Sequence, residues 1–270
     1  MTIAAWLKLS EETLRSNNIS TARLDAELLL SELLEKDRTW LHTHPDHILQ
    51  RSDLRILDKQ ISRRAKHEPV AYIRGRQEFY GREFIVSPDT LTPRPETETM
   101  VEMALQILQK QDTMTVADIG SGSGCIVISL KLESNKDSSF IGYDISKPAL
   151  EIARKNARNF DSNVTFKQTD ITNEAKQAWQ NAELIVANLP YVPTDFKINT
   201  AATHEPDFAI FGGDDGLDYY RIMFAKLSNK TKYVLTESLP PQHEELTVIA
   251  KKAGFKLQKT QDLIQQFAKE

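Results

Sequence analysis

Residues 115–125 read TVADIGSGSGC. A short β-type run, TVADIG, meets glycines at 120, 122 and 124, and an apolar helical stretch over 124–132 follows. Glycines at such a turn let the backbone approach a ligand and bend sharply into a helix N-terminus. Beyond it the same alternation continues: SFIGYD, a helix over 147–159, VTFKQTD, a helix over 174–179, AELIVANLP, a helix over 215–227, KYVLTES, a helix over 242–252, and FKLQKT. Strands and helices alternating at this spacing predict an α/β chain built on a mostly parallel sheet with helices on both faces.

Upstream the period differs. The first 73 residues repeat Leu, Ile and Ala at three- and four-residue spacing in AAWLKLSEETLRS, ARLDAELLLSELLEK and LRILDKQISRRAK, which predicts a small helical bundle. EFYGREFIV (78–86) alternates around Gly81 as a hairpin does, and the Pro-rich SPDTLTPRPETE follows. The expected division is 1–74 and 75–270, with the boundary near Gly75. At 270 residues and 40% hydrophobic content the chain supports one or two soluble domains, and it shows no signal peptide and no membrane-length apolar run. A single cysteine, Cys125, suits a reducing cytoplasm. The net charge of −4 argues against nonspecific coating of nucleic acid, although eight Lys/Arg against three acids between Arg51 and Arg76 leave a local excess of five. A solvated helix face is the simpler reading of that patch.

The candidate site residues lie at strand ends. In the glycine loop (Gly120, Ser121, Gly122, Ser123, Gly124), Cys125 stands where the dinucleotide fingerprint needs its third spaced glycine, so an adenosyl amino acid fits better than a pyrophosphate. Asp144 closes the second strand, placed to accept from both ribose hydroxyls or to cap the next helix. Asp170 closes the third, placed for the ligand or for a turn, and Ile171 beside it offers a surface to an adenine ring. The fourth strand ends in Asn188-Leu189-Pro190-Tyr191, at the point where strand order reverses. An Asn side-chain oxygen and the next backbone carbonyl are two acceptors able to hold a planar –NH₂, with Tyr191 offering a ring face. Gripping such a nitrogen aims its lone pair at an electrophilic methyl, so catalysis would come from orientation and polarisation.

NLPY resembles the Asn-Pro-Pro-Tyr signature of S-adenosylmethionine-dependent amino-methyltransferases. RLDAELLLSELLEKDRTWL, RRAKHEPVAYIRGRQEFYGREFIV, LTPRPETE, DIGSGSG, YDISKPALEIARKNA, THEPDFAIFGGDDGLDYYR and TES…Q resemble blocks of the protein-(glutamine-N5) methyltransferases of peptide chain release factors. That resemblance implies a class I methyltransferase, Rossmann-like with a seven-stranded mostly parallel sheet, carrying an N-terminal helical bundle and a connecting β-hairpin. It implies methylation of the glutamine in a release factor's Gly-Gly-Gln motif, with the bundle docking the factor. By the same resemblance S-adenosylmethionine falls to Gly120–Gly124, Asp144, Ile171 and Asn188, and the glutamine to Asn188, Leu189, Pro190 and Tyr191. Asn188 and Tyr191 become the catalytic pair, and Arg94 and Glu96 line the pocket mouth. Three positions depart from the family pattern: Leu189 replaces the first proline, Leu239 follows Glu237 and precedes Gln242 where the family has Gly, and no Arg follows Asp262.

Other features carry less. His42, His44 and His47 in HTHPDH lie in an expected loop and lack a ligand framework, so no metal is expected. Cys125 reads as a small core residue, and Gly212, Gly213 and Gly216 as a loop beside the pocket. Neither a membrane nor a stable nucleic-acid partner is expected. Rival readings are methylation of a nucleic-acid exocyclic amine or a ribosomal-protein glutamine, or a cofactor-binding docking protein without catalysis.

Overall fold

The structure, a computed structural model describing residues 1–134, 137–175 and 177–270, divides into two units: Met1–Arg76 with Ile198–His204, and Gln77–Lys197 with Glu205–Glu270.

In the first unit the Leu/Ile/Ala stripes form α1 (Ile3–Ser16), α2 (Ala22–Leu34), α4 (Arg51–Ala65) and the short α3 (Arg38–Thr43) and α5 (Val70–Arg74). Thr2 caps α1 by accepting from the Ala5 N–H, and Asp37 caps α3 by accepting from the Trp40 N–H at 2.7 Å. That cap draws His42 into a helix rather than the expected loop, while His44 stacks on Trp40 with ring centroids 4.3 Å apart. Trp6, Leu7, Leu14, Leu29, Leu30 and Leu57 meet in one core. Burial pushes the Glu27 carboxyl up, but the Arg23 and Arg38 guanidiniums that bind it outweigh this and hold it below its ordinary value. Much of the cationic patch is neutralised inside the unit: Arg63 pairs with Glu68, Arg64 with Asp25 at 2.7 Å, and Arg74 and Arg76 with Glu32.

The hairpin β1 (Arg76–Phe79) and β2 (Arg82–Ile85) turns through Tyr80 and Gly81, both at positive φ, as a two-residue hairpin requires. Then come α6 (Glu98–Gln109), β3 (Thr115–Ile119), α7 (Cys125–Glu133), β4 (Ser139–Asp144), α8 (Lys147–Asn159), β5 (Thr165–Gln168), β6 (Leu184–Ala187), α9 (Asp218–Lys226), β7 (Tyr233–Glu237), α10 (His243–Lys252), β8 (Phe255–Gln261) and β9 (Ile264–Lys269). The sheet order is β5-β4-β3-β6-β7-β9-β8; neighbours from β5 to β7 run parallel, and β9 is antiparallel to both its neighbours. Both faces are covered, so Val116, Val186 and Leu235 enter one core while Ala117, Ile185 and Val234 enter the other.

Two elements differ from expectation. Among the described residues between β5 and β6, Ala178–Asn181 form a 3₁₀ turn and 174, 175 and 177 are not helical, against the expected helix over 174–179; position 176 of that stretch lies outside the described residues. Side chains hold the segment instead: the Trp179 indole donates to Gln177 Oε1 at 2.7 Å, and Gln177 Nε2 donates to the Asp170 carbonyl at 2.6 Å. The tail residues 264–269, assigned no strand from sequence, form β9 between β7 and β8. Gln265 disguised it, being a buried amide that donates to the His243 carbonyl and the Thr247 hydroxyl.

Candidate active site

Strand order reverses between β3 and β6, so the connections leaving their carboxyl ends diverge and open a crevice. A cavity of about 370 Å³ occupies it, a volume within the usual range for small-molecule sites. Its wall includes Gly120, Ser121, Gly122, Ser123, Asp144, Asp170, Ile171, Asn188, Leu189 and Pro190. Gly120 has φ +78°, and a Cβ there would sit 3.2 Å from Leu189 Cδ2, so the glycine loop and the NLPY turn touch because this position has no side chain. Gly124 is not on the wall; it caps α7 and packs among Phe166, Ile128 and Ala153.

Asp144 braces the glycine loop. Its Oδ2 accepts from the Gly122 N–H and its Oδ1 from the Ser146 N–H, both at 2.8 Å, whereas α8 is capped by Ser146 itself. Burial pushes the Asp144 carboxyl up, with these backbone donors opposing. Each oxygen keeps a second lone pair for a hydroxyl donor. One strand over, Asp118 is fully buried with neither carboxylate oxygen hydrogen-bonded, and burial together with the nearby Asp144 charge pushes it up to about 7. Asp170 Oδ1 accepts from both the N–H and the hydroxyl of Thr172, which hold its carboxyl below the ordinary value, so it serves a turn while also facing the cavity.

The NLPY turn is held from beneath. Asn188 Nδ2 donates to Thr97 Oγ1 at 3.2 Å, and Thr97 donates to Glu237 Oε2 at 2.7 Å. The Tyr191 hydroxyl donates to Glu237 Oε1 at 3.1 Å, and its ring is not part of the cavity wall. Burial pushes the Glu237 carboxyl up, with the Thr97 and Tyr191 hydroxyls and the Asn188 side-chain amide opposing. Gln242 Nε2 donates to the carbonyls of Tyr191 and Asp215, both at 2.7 Å, tying the turn to the FGGDDG loop. That loop approaches so closely that a Cβ on Gly216 would lie 2.0 Å from the Tyr191 carbonyl oxygen, which only glycine avoids. Arg94 lines the cavity and pairs with the buried Glu205, whose other oxygen accepts from the Thr92 N–H; Glu96 lies off the cavity, beside Pro240 and Asp262. Cys125 touches the cavity with its thiol pushed up to about 12 by burial, so it is a poor nucleophile. Among the described residues no group of three or more His, Cys, Asp or Glu side chains is arranged to hold a metal.

Sequence reasoning missed Tyr220 and Ile145, and it reached Thr97 only as part of RPETE (94–98), expected at the pocket mouth, without singling it out. Ile145 is half exposed on the cavity wall, and an apolar residue directly after a strand-end acid was its available signal. Tyr220 carried none.

Residues 5–75 match the PrmC N-terminal domain family, and residues 110–211 match a methyltransferase domain family. A release factor glutamine methyltransferase of Koribacter versatilis is 38% identical over 221 residues, spanning 81% of this chain and 78% of its own. Another, from Coxiella burnetii, is 34% identical over 240 residues, spanning 87% and 86%. The chain belongs to the release factor glutamine methyltransferases. The catalytic domain of hMettl16, solved in complex with the MAT2A 3'UTR hairpin 6, shares the fold at 12% identity and a TM-score of 0.55, covering 78% of this chain and 81% of that one. The sheet is thus that of a class I methyltransferase, and the protein is a methyltransferase. At one departure from the expected pattern the backbone is unstrained: Leu239 has φ −67° and ψ 143°, ordinary extended backbone in which glycine is not needed.

Proposed function

We propose that this release factor glutamine methyltransferase moves a methyl group from S-adenosylmethionine to the side-chain N5 of the glutamine in the Gly-Gly-Gln motif of peptide chain release factors. The observation that carries the reading is Asn188: its side chain donates its –NH₂ to Thr97, which leaves Oδ1 as an acceptor at a cavity that Asp144 and the glycine loop also line.

The donor set fits the cofactor. Asp144 keeps free lone pairs for ribose hydroxyls, the apolar Ile171 and Ile145 flank it for a flat ring, and Asp144 and Asp170 together favour a cationic ligand. Gly120, Ser121, Gly122 and Ser123 hold the amino-acid end, with Gly124 fixing the loop rather than touching it. When bound, S-adenosylmethionine supplies an electrophilic sulfonium methyl. Asn188 Oδ1 and the Leu189 carbonyl accept the two amide hydrogens of the glutamine, and Pro190 restricts where that carbonyl points. Tyr191 acts from behind, by anchoring on Glu237. As the nitrogen–methyl bond formed, the methyl–sulfur bond would break, S-adenosylhomocysteine would leave as the neutral thioether and the glutamine nitrogen would release one proton to solvent, so that no strong base is required. Residues 1–74 dock the protein substrate, and the place of work is the cytoplasm; among the described residues no helix is long and apolar enough to cross a membrane.

Incubation with labelled S-adenosylmethionine, purified release factor, and free DNA or RNA tests the assignment. Label on the glutamine of the release factor, located by mass spectrometry, is expected. Label on nucleic acid alone, or on nothing, overturns it.

A further inference from the structure

We propose that Glu237 is a positioning residue that decides, through Thr97, which end of the Asn188 side-chain amide faces the cavity. This rests on the reading that Asn188 Oδ1 is the acceptor for the substrate amide.

An asparagine's oxygen and nitrogen are alike in size and shape, so packing does not choose between them; hydrogen-bond polarity must. The choice is made here by a chain of three groups. Glu237, at the carboxyl end of β7, accepts at both oxygens, from Tyr191 at Oε1 and from Thr97 at Oε2. A threonine hydroxyl has one proton, and Glu237 takes it. Toward Asn188 the Thr97 oxygen is therefore only an acceptor. Asn188 must answer with Nδ2, as it does at 3.2 Å, and Oδ1 is left for the cavity that Thr97 and Asn188 both line. The opposite amide orientation would face Thr97 with two acceptors and the cavity with two donors, which repels the –NH₂ of a glutamine.

Glu237 is buried, with 1% of its surface exposed, at a cost in desolvation that a purely structural position would avoid with an apolar residue. Its backbone is separately secured, because the Tyr220 hydroxyl donates to the Glu237 carbonyl at 2.5 Å. The end of β7 is thus held by the backbone carbonyl, and the side chain serves Thr97 and Tyr191.

The test compares Glu237→Gln, Thr97→Val and Thr97→Ser in the full chain. Thr97→Val keeps the shape and removes the relay; Thr97→Ser keeps the hydroxyl. Expected is a fall in kcat on the order of tenfold or more for Glu237→Gln and Thr97→Val, with KM for release factor and the affinity for S-adenosylhomocysteine little changed. Thr97→Ser should stay within about threefold of wild type, the rescue that a relay predicts. Wild-type kcat in Thr97→Val, or an equal loss in Thr97→Ser, overturns the proposal. A second readout needs no methylation: in protein labelled with ¹⁵N-asparagine, the Asn188 side-chain amide protons should exchange slowly in wild type and Thr97→Ser and quickly in Thr97→Val. Equal exchange in all three also overturns it. If wild type methylates no release factor, the assigned function falls, while the same amide-exchange measurement extended to Glu237→Gln still decides the positioning role: fast exchange there supports it and wild-type exchange overturns it.

Discussion

The backbone N–H of Leu189 donates to the hydroxyl of Tyr220 at 3.2 Å, and the same hydroxyl donates to the carbonyl of Glu237. One buried oxygen therefore ties the end of β6 to the end of β7 directly under the candidate site. The bond bears on the departure from Asn-Pro-Pro-Tyr, because a proline at 189 has no N–H to donate.

Leu189→Pro is expected to leave an active enzyme with turnover changed by about tenfold or less, about 1.4 kcal/mol in the barrier. The lost N–H donor should lower unfolding free energy by about 1 kcal/mol, read by urea titration. Proline fixes φ where leucine does not, but Pro190 already confines residue 189 to the extended region. An inactive wild type made active by Leu189→Pro would turn the protein into a docking relic.

Asn188→Ala should cost turnover on the order of a hundredfold, because it deletes an acceptor aimed at the reacting nitrogen. Cofactor affinity should fall far less. Single-turnover methylation beside calorimetric titration separates the two, and a loss confined to affinity would contradict a catalytic role.

Asp144→Ala should weaken S-adenosylmethionine binding on the order of tenfold or more, since charge-assisted bonds to ribose are lost along with the brace on Gly122. Circular dichroism should show the fold retained. Unchanged affinity by calorimetry would remove Asp144 from the site.

Asp118 makes stability depend on pH. Its carboxyl is pushed up to about 7 in the folded chain, so the folded state holds a proton that the unfolded state releases at lower pH. Its contribution is full below the ordinary aspartate range and is lost as pH rises toward 7, at about 1.4 kcal/mol per pH unit where only the folded state is protonated. Denaturant titrations of wild type and Asp118→Asn between pH 4 and 8 should give a flatter curve for the variant. Parallel curves would show that the group stays ionised.

Removing residues 1–74 should spare S-adenosylhomocysteine binding, because every wall residue of the cavity belongs to the second unit. Methylation of intact release factor should be abolished. Undiminished turnover by the fragment would show that the bundle does not dock the substrate.

What the sequence determined by itself was whatever is written in a local period or at a strand end. Apolar spacing marked the N-terminal helices and most strands of the sheet, since the 3.6 and 2 periods report which backbone faces a core. The glycine turn, Asp144, Ile171 and Asn188 could be placed because the carboxyl ends of strands beside a topological switch are where an open sheet binds its ligand. The strand 264–269 was lost because buried Gln265 breaks its pattern, and the segment before β6 was misread because Gln177 and Trp179, not a helix, hold it. Tertiary structure alone decided how the site is braced. Thr97 meets Glu237 across 140 positions of sequence, Tyr191 meets Glu237 across 46, and Gln242 reaches the Tyr191 carbonyl across 51. A hydrogen bond's partner is chosen by distance and angle after the chain has folded, and no spacing along the sequence encodes either.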